Sequence, residues 1–228
     1  MKQIISIRGK QGSGKTELMR TILRMIIGEN FMFAGTIYKM HDQILPILKS
    51  LGVINEDVVK RGDLLQVLGE WGRVNIDPEV WCMTCRSEVD TFLKAGDVAV
   101  VSDTRMKNEF HYFPEALRVS LDAPEYIRKA RCPAWRENTH HPSEVGLDYY
   151  HDMGYFDMYF ETEHTPAEVI AKSIIERLKT QDWVSNRKRD CVDLDVSYWN
   201  NQKKHPTFIN DWTKGETLYE ARVQVLQG

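Results

Sequence analysis

Gly9, Lys10, Gln11, Gly12, Ser13, Gly14, Lys15 and Thr16 follow the spacing G-x-x-x-x-G-K-[ST]. Glycines let a backbone curl until successive N–H groups point at one centre, which makes a nest for phosphate oxygens. A helix opening there adds the positive end of its dipole. Lys15 then reaches the β- and γ-phosphates of a nucleoside triphosphate, and the Thr16 hydroxyl sits on Mg²⁺. A chance glycine-rich turn would lack the flanking elements that this chemistry needs. Here the apolar run Ile4-Ile5-Ser6-Ile7 precedes the loop, and Leu18, Ile22, Met25 and Ile26 follow on one helical face.

A second set of charged residues fits the same ligand. Asp97-Val98-Ala99-Val100-Val101-Ser102-Asp103 is a β-branched apolar run that ends in a carboxylate. At the carboxyl end of a central parallel strand, Asp103 would lie beside the phosphate loop and hold Mg²⁺ or its water. Arg105 follows two residues later in Asp103-x-Arg105-x-x-Asn108-Glu109. Beyond the strand Leu117–Leu121, Pro124 opens a helix bearing Arg128, Lys129 and Arg131, with Arg136 and a polar loop over 137–144 behind it. Arginines three apart share a helix face. Beside a triphosphate, Arg128 and Arg131 are expected to close as a lid that neutralises the moving phosphoryl group and excludes water.

The partner of that phosphoryl group would be held between the two. The stretch from Arg61 to Trp81 interleaves an apolar stripe (Leu64, Leu65, Val67, Leu68) with Gln66 and Arg73, which could face a ligand. Asp77-Pro78 reads as an N-cap followed by an N1 proline, opening a helix that buries Trp81, Cys85, Val89 and Phe92 and ends at Gly96. Lys39 is expected near the mouth of the site, and Asp42 as the cap of a helix whose first turn holds Pro46. Cys82-x-x-Cys85 has no second ligand pair of matching spacing and sits inside a helix, so it reads as ordinary cysteine and not as zinc or redox chemistry.

These groups need a scaffold, and the order of elements supplies one. Strand, loop, helix, helical insert, strand ending in Asp103, helix, strand, arginine helix, strand ending near Glu161, and a helix opened by Thr165-Pro166 alternate along the chain. Such alternation implies an α/β fold with a parallel sheet covered on both faces. The last helix buries Val169, Ile170, Ile174 and Leu178. The divisions expected are a core over 1–180, an acceptor-binding helical insert over about 36–95, a lid over about 124–150, and an appendage over 181–228 anchored by Trp183, Trp199 and Trp212. At 228 residues and 42% hydrophobic, the chain is long enough for one large core. A net charge of −3 argues against a nucleic-acid surface, and no apolar run reaches membrane-span length. Four cysteines without a secretory leader are expected to be free thiols in a reducing cytoplasm.

The combination of blocks resembles the deoxynucleoside monophosphate kinases of large tailed bacteriophages. The matching stretches are the loop Gly9–Thr16, Leu64-Leu65-Gln66-x-Leu68-Gly69 with Gly72-Arg73, Asp77 with Trp81, Asp103 through Glu109, Arg128 with Arg131, and His141-Pro142-Ser143-Glu144. The resemblance covers roughly residues 1–180 and leaves the tail unmatched. It implies ATP and Mg²⁺ as cofactors, a deoxynucleoside monophosphate (dNMP) as acceptor, the reaction ATP + dNMP = ADP + dNDP, a homodimer, and the cytoplasm of an infected bacterium.

Under that reading the acceptor is itself a phosphate. Its second pKa lies near 6, so it needs no general base. The enzyme's task is to align and neutralise two anions. Lys15, Thr16 with Mg²⁺, Asp103, Arg128 and Arg131 serve the donor side. Arg73, Arg105 and Lys39 serve the acceptor phosphate, and Gln66, Asp77 and Trp81 shape the base pocket. Tyr149, Tyr150 and Trp71 are candidates to exclude a 2′-hydroxyl. Two alternatives stay open at this point: a P-loop kinase of a hydroxylated metabolite, with Asp103 as base, and a P-loop ATPase or binding module that docks through its tail.

Overall fold

The computed structural model describes residues 3–55, 62–93, 98–132, 135 and 142–180. The tail from Gln181, the helix end at Gly96, Asp97 at the start of its strand, Arg136 and lid-loop residues 137–141 lie outside the described residues. In chain order the elements are β1 (Gln3–Gly9), α1 (Lys15–Met25), β2 (Gly28–Phe31), α2 (Gly35–Ser50), α3 (Gly62–Asn75), α4 (Val80–Phe92) and β3 (Val98–Thr104). There follow α5 (Lys107–Tyr112), β4 (Leu117–Asp122), α6 (Glu125–Arg131), α7 (Pro142–Val145), α8 (Asp148–Asp152), β5 (Met158–Glu161) and α9 (Ala167–Thr180).

The five strands form one sheet in the order β2-β3-β1-β4-β5, and every pairing is parallel. An all-parallel sheet must be covered on both faces, which is why β1 and β4 read as continuous buried runs and not as alternating ones. One face packs Ile5, Ile7, Val100, Val119 and Leu121 against Leu18 and Ile22 of α1 and Ile170, Ile174 and Leu178 of α9. The other packs Ile4, Ala99 and Val101 against Phe31, Phe33, Phe113 and the α4 residues Cys82, Cys85 and Val89. Both cysteines of the C-x-x-C are therefore core residues, and burial pushes both thiols well above their ordinary range. Among the described residues no helix is long and apolar enough to cross a membrane.

Several local expectations shift. The second strand spans Gly28–Phe31, three residues earlier than the apolar run 31–34 indicates, because Gly28 pairs with Val98 and leaves no room for a side chain. α2 begins at Gly35, so Asp42 and Pro46 lie within it and not at its start. Val67 and Val169 are half exposed on α3 and α9. The Asp77 carboxylate accepts from Glu79 N at 2.7 Å, as an N-cap would, but regular helix starts only at Val80.

β1 is central; the chain leaving β1 runs to β2 at one edge and the chain leaving β3 crosses to β4 on the other side, so the sheet's switch point falls at the carboxyl ends of β1 and β3. Ligands of open parallel sheets bind there. The pairing of β1 with β3 slips between Ser6–Val101 and Arg8–Thr104, which places an extra residue in β3. A bulge of this kind re-aims the side chains around it, here Ser102 and Asp103. Ser6 Oγ and Thr104 Oγ1, 2.8 Å apart and buried, lock the two strands beyond the bulge.

Candidate active site

The loop after β1 has the backbone its glycines predict. Gly12 and Gly14 adopt φ of 77° and 92°, a region that costs any residue with a Cβ. Gly12 has a second constraint, since a Cβ there would lie 2.5 Å from the Arg128 carbonyl oxygen of α6. Gly14 faces open space, with no heavy atom within 4 Å of such a Cβ. α1 starts directly after it with no side-chain cap, leaving its first N–H groups for a ligand. Ser13 Oγ is buried and has no hydrogen-bond partner among the described residues. An orphaned hydroxyl, an uncapped helix start and open space over Gly14 together describe a cradle for phosphate.

Lys15 Nζ donates to the Gly9 carbonyl and, at 2.9 Å, to the Lys10 carbonyl. Its pKa is lowered to about 7, chiefly by burial, then by Arg105, and in smaller part by Arg8. Glu144 and Asp103 pull the other way without restoring it. Three cations thus converge at the carboxyl ends of β1 and β3, and the surplus positive charge is what an anionic ligand would relieve.

Asp103 is half-buried, and its two oxygens accept from Phe33 N at 2.8 Å and Ala34 N at 3.0 Å. These are the residues that lead into α2, so the carboxylate at the end of β3 fixes where that helix starts. Burial raises its pKa, against the opposing pull of those two N–H groups and of Arg105 and Lys15. Glu109 Oε2 accepts from Arg105 N at 2.7 Å and Met106 N at 2.9 Å, which sets the turn that carries Arg105. The Glu109 carboxyl is pushed up to about 7 by burial and by Asp103, and the Arg73 charge from α3 opposes the rise. Glu109 thus holds the Arg105 backbone and feels the Arg73 charge.

The lid arginines have other partners. Arg128 is buried, and donates from Nε to Ala123 O at 3.1 Å and from Nη1 to Gln11 O at 3.3 Å, with its guanidinium 5.3 Å from the Trp135 ring centroid. Arg131 donates to the Thr162 carbonyl at 2.7 Å and hydroxyl at 2.9 Å, and that hydroxyl donates to Ser13 O at 3.1 Å. Arg128 thus holds a loop carbonyl directly, and Arg131 reaches the loop only through the Thr162 hydroxyl. The α6 backbone lies against Gly12 at Arg128.

Three acceptor candidates find their partners inside the helical insert. Lys39 pairs with Glu88 of α4 at 2.6 Å on the surface, an exposed pair worth about 0–1 kcal/mol. Trp81 is buried and donates Nε1–H to Gly69 O at 2.8 Å, with its ring where a Cβ of Gly72 would be. The indole and the two glycines pack α4 on α3, so Trp81 builds the insert and presents no ring to a base. Asp77 caps the α3–α4 turn. Gln66 is exposed on α3, and Thr16 is exposed on the first turn of α1. Tyr150 is buried with Phe110, Leu147 and Phe156, whereas Tyr149 and Trp71 are half exposed.

Several residues of the site carry no motif. Arg8, nearly buried at the end of β1, donates to the Asp148 carboxylate and at 3.3 Å to Ser120 Oγ, and Lys10 pairs with the same carboxylate at 2.8 Å. Glu144 Oε2 accepts from the loop's Gln11 N at 2.8 Å, with its Oε1 3.8 Å from Arg105. Gln11 Nε2 lies 3.1 Å from Cys132 Sγ. An arginine ending an otherwise apolar buried strand was the available signal for Arg8. Nothing local marks Asp148, whose partners lie 138 and 140 positions away.

No protein-family model matches the chain, and no curated protein matches it either. Among solved structures, the chain is similar to a sugar kinase from Janibacter sp. (13% identity, TM-score 0.45, covering 78% of this chain and 95% of that one). It is also similar to shikimate kinase from Acinetobacter baumannii in complex with shikimate (14%, 0.41, 79% and 94%). A third is the APS kinase CysC of Mycobacterium tuberculosis in complex with AMPPNP and APS (11%, 0.41, 78% and 98%). Likeness at this level carries nothing about substrate or reaction.

Proposed function

We propose that this chain is an ATP-dependent kinase that phosphorylates deoxynucleoside 5′-monophosphates to diphosphates. The observation that carries the reading is the convergence of Lys15, Arg105 and Arg8 on an open glycine cradle at the sheet's switch point. The donor triphosphate lies on the loop Gly9–Thr16, with N–H groups from the loop and the start of α1 on its β- and γ-oxygens. Lys15 moves from the Gly9 and Lys10 carbonyls to those oxygens and is held protonated there.

The carboxylates nearest Lys15 favour a phosphate acceptor over an alcohol. Asp103 accepts two backbone N–H groups and Glu144 accepts one, so each already has a positioning role. An alcohol needs a base to take its proton, whereas a phosphate dianion attacks as it stands. Arg105 and Arg73 orient it in line, and the charge they place around the transferred group is the main source of rate. α2–α4 provide the wall on which the nucleoside rests, with Gln66 on their surface.

Among the described residues no group of three carboxylate, histidine or cysteine side chains gathers as a metal cage. Mg²⁺ held by Thr16, and by Asp103 directly or through water, would supply Lewis-acid charge on the β- and γ-oxygens.

The test is ADP release with each of the four dNMPs, their ribonucleotide counterparts, and no acceptor. The proposal expects release that depends on a dNMP. Release without acceptor supports a P-loop ATPase. No release with any dNMP, in a protein that binds ATP, leaves the hydroxyl-acceptor kinase as the reading to pursue.

A further inference from the structure

The segment from α7 to α8 sends two carboxylates to the phosphate loop. Asp148 takes Arg8 and Lys10 on its two oxygens, at the loop's first turn. Glu144, only 11% exposed, goes further in. One of its oxygens accepts the N–H of Gln11, and the other lies 3.8 Å from the Arg105 guanidinium. Its charge also acts on Lys15. A backbone N–H of the loop, the loop lysine and the arginine after β3 are three of the groups that a terminal phosphate would use. One carboxylate faces all three.

We infer that Glu144 is an internal stand-in for the terminal phosphate, held on the loop by Gln11 N–H and Arg105, and that a triphosphate must displace it to bind. The inference rests on the donor-site reading above. The physical case is charge. Arg105 and Arg8 act against the charge on Lys15, and Glu144 offsets part of that effect. Asp103 is the other carboxylate acting on Lys15, and both its oxygens are held by the backbone of residues 33 and 34. Glu144 is the carboxylate whose single loop contact a phosphate can replace. A carboxylate left beside an incoming triphosphate repels it. The same contact that orders the empty loop therefore sets a threshold for donor binding, with Arg105 passing from Glu144 to phosphate as the site fills.

The probe is Mg²⁺-tripolyphosphate, which carries the donor's charged part without its nucleoside, with ATP alongside. Calorimetric titration of the wild-type protein, Glu144→Gln and Glu144→Ala reads the effect directly. Glutamine keeps an oxygen to accept from Gln11 N–H and loses the charge; alanine loses both. Both variants are expected to bind tripolyphosphate and ATP about tenfold more tightly, equivalent to about 1.4 kcal/mol. Ligand-free Glu144→Gln is expected to melt at lower temperature than wild type and to gain more from the ligand. Unchanged or weaker binding in the variants overturns the inference and makes Glu144 a residue that merely orders the loop. Failure of the wild-type protein to bind either probe sinks the donor-site reading, and this inference with it.

Discussion

The Lys15 amine is lowered to about 7, and that would make binding of a triphosphate a proton-uptake reaction. Its pKa of about 7, against an ordinary 10.5, comes from burial first and from Arg105 and Arg8 after it. Phosphate oxygens reverse the balance and hold the amine protonated. At pH 8 about nine-tenths of the Lys15 amines are neutral before binding, so each ATP should bring with it about 0.9 proton. Between pH 7.5 and 9 the terminal phosphate is already ionised, so affinity should fall about tenfold per pH unit from Lys15 alone. The assay is calorimetry at pH 8 in buffers of different ionisation heat, with Lys15→Arg as the variant that takes up no proton. An uptake near zero in the wild type would mean that the amine stays charged in the empty site, and would refute the account of crowded cations. The same displacement bears on folding. A lysine whose folded pKa lies below its unfolded one binds fewer protons when folded, so stability rises with pH between about 7 and 10.5. Below that window the protein carries a burden of at most about 5 kcal/mol. Lys15→Met is therefore expected to melt at higher temperature than wild type at pH 7, and to transfer no phosphate.

Two further substitutions probe the scaffold. Gly72→Ala would put a Cβ 2.1 Å from Trp81 Cζ2, an overpacking that costs about 1–3 kcal/mol in urea denaturation; it should also raise KM for the acceptor more than for ATP, because it shifts α3 against α4. Glu109 has a folded pKa of about 7 against 4.5 unfolded, so the stability it contributes is fully present below pH 4.5 and is lost as pH rises through 7. Glu109→Gln keeps an oxygen for Arg105 N and Met106 N and removes the titration, so its stability should fall less than that of the wild type between pH 5 and 8, as read by thermal melts.

Much of the donor half was legible because its constraints are local. Gly12 and Gly14 in the loop from Gly9 to Thr16 take the positive φ their spacing predicts, and the apolar run before Asp103 is a buried parallel strand. The surroundings of the residues proposed for the acceptor were less so. Trp81 has the composition of a base-stacking residue and a helical spacing, but whether it faces a ligand depends on Gly69 and Gly72 of the preceding helix, which leave a slot for its indole. Lys39 looked free until Glu88, 49 positions later, came beside it.

The chain's linear order determined the α/β layering, the phosphate loop and the strand end at Asp103, since period, β-branching and glycine spacing act over a few residues. Tertiary structure alone decided what the charges do. Asp103 caps a helix that starts 68 positions earlier, Arg128 holds the loop from 117 positions away, and Glu144 reaches it across 133. Charges act through space in a low dielectric, and a sequence does not show which of them will be buried together.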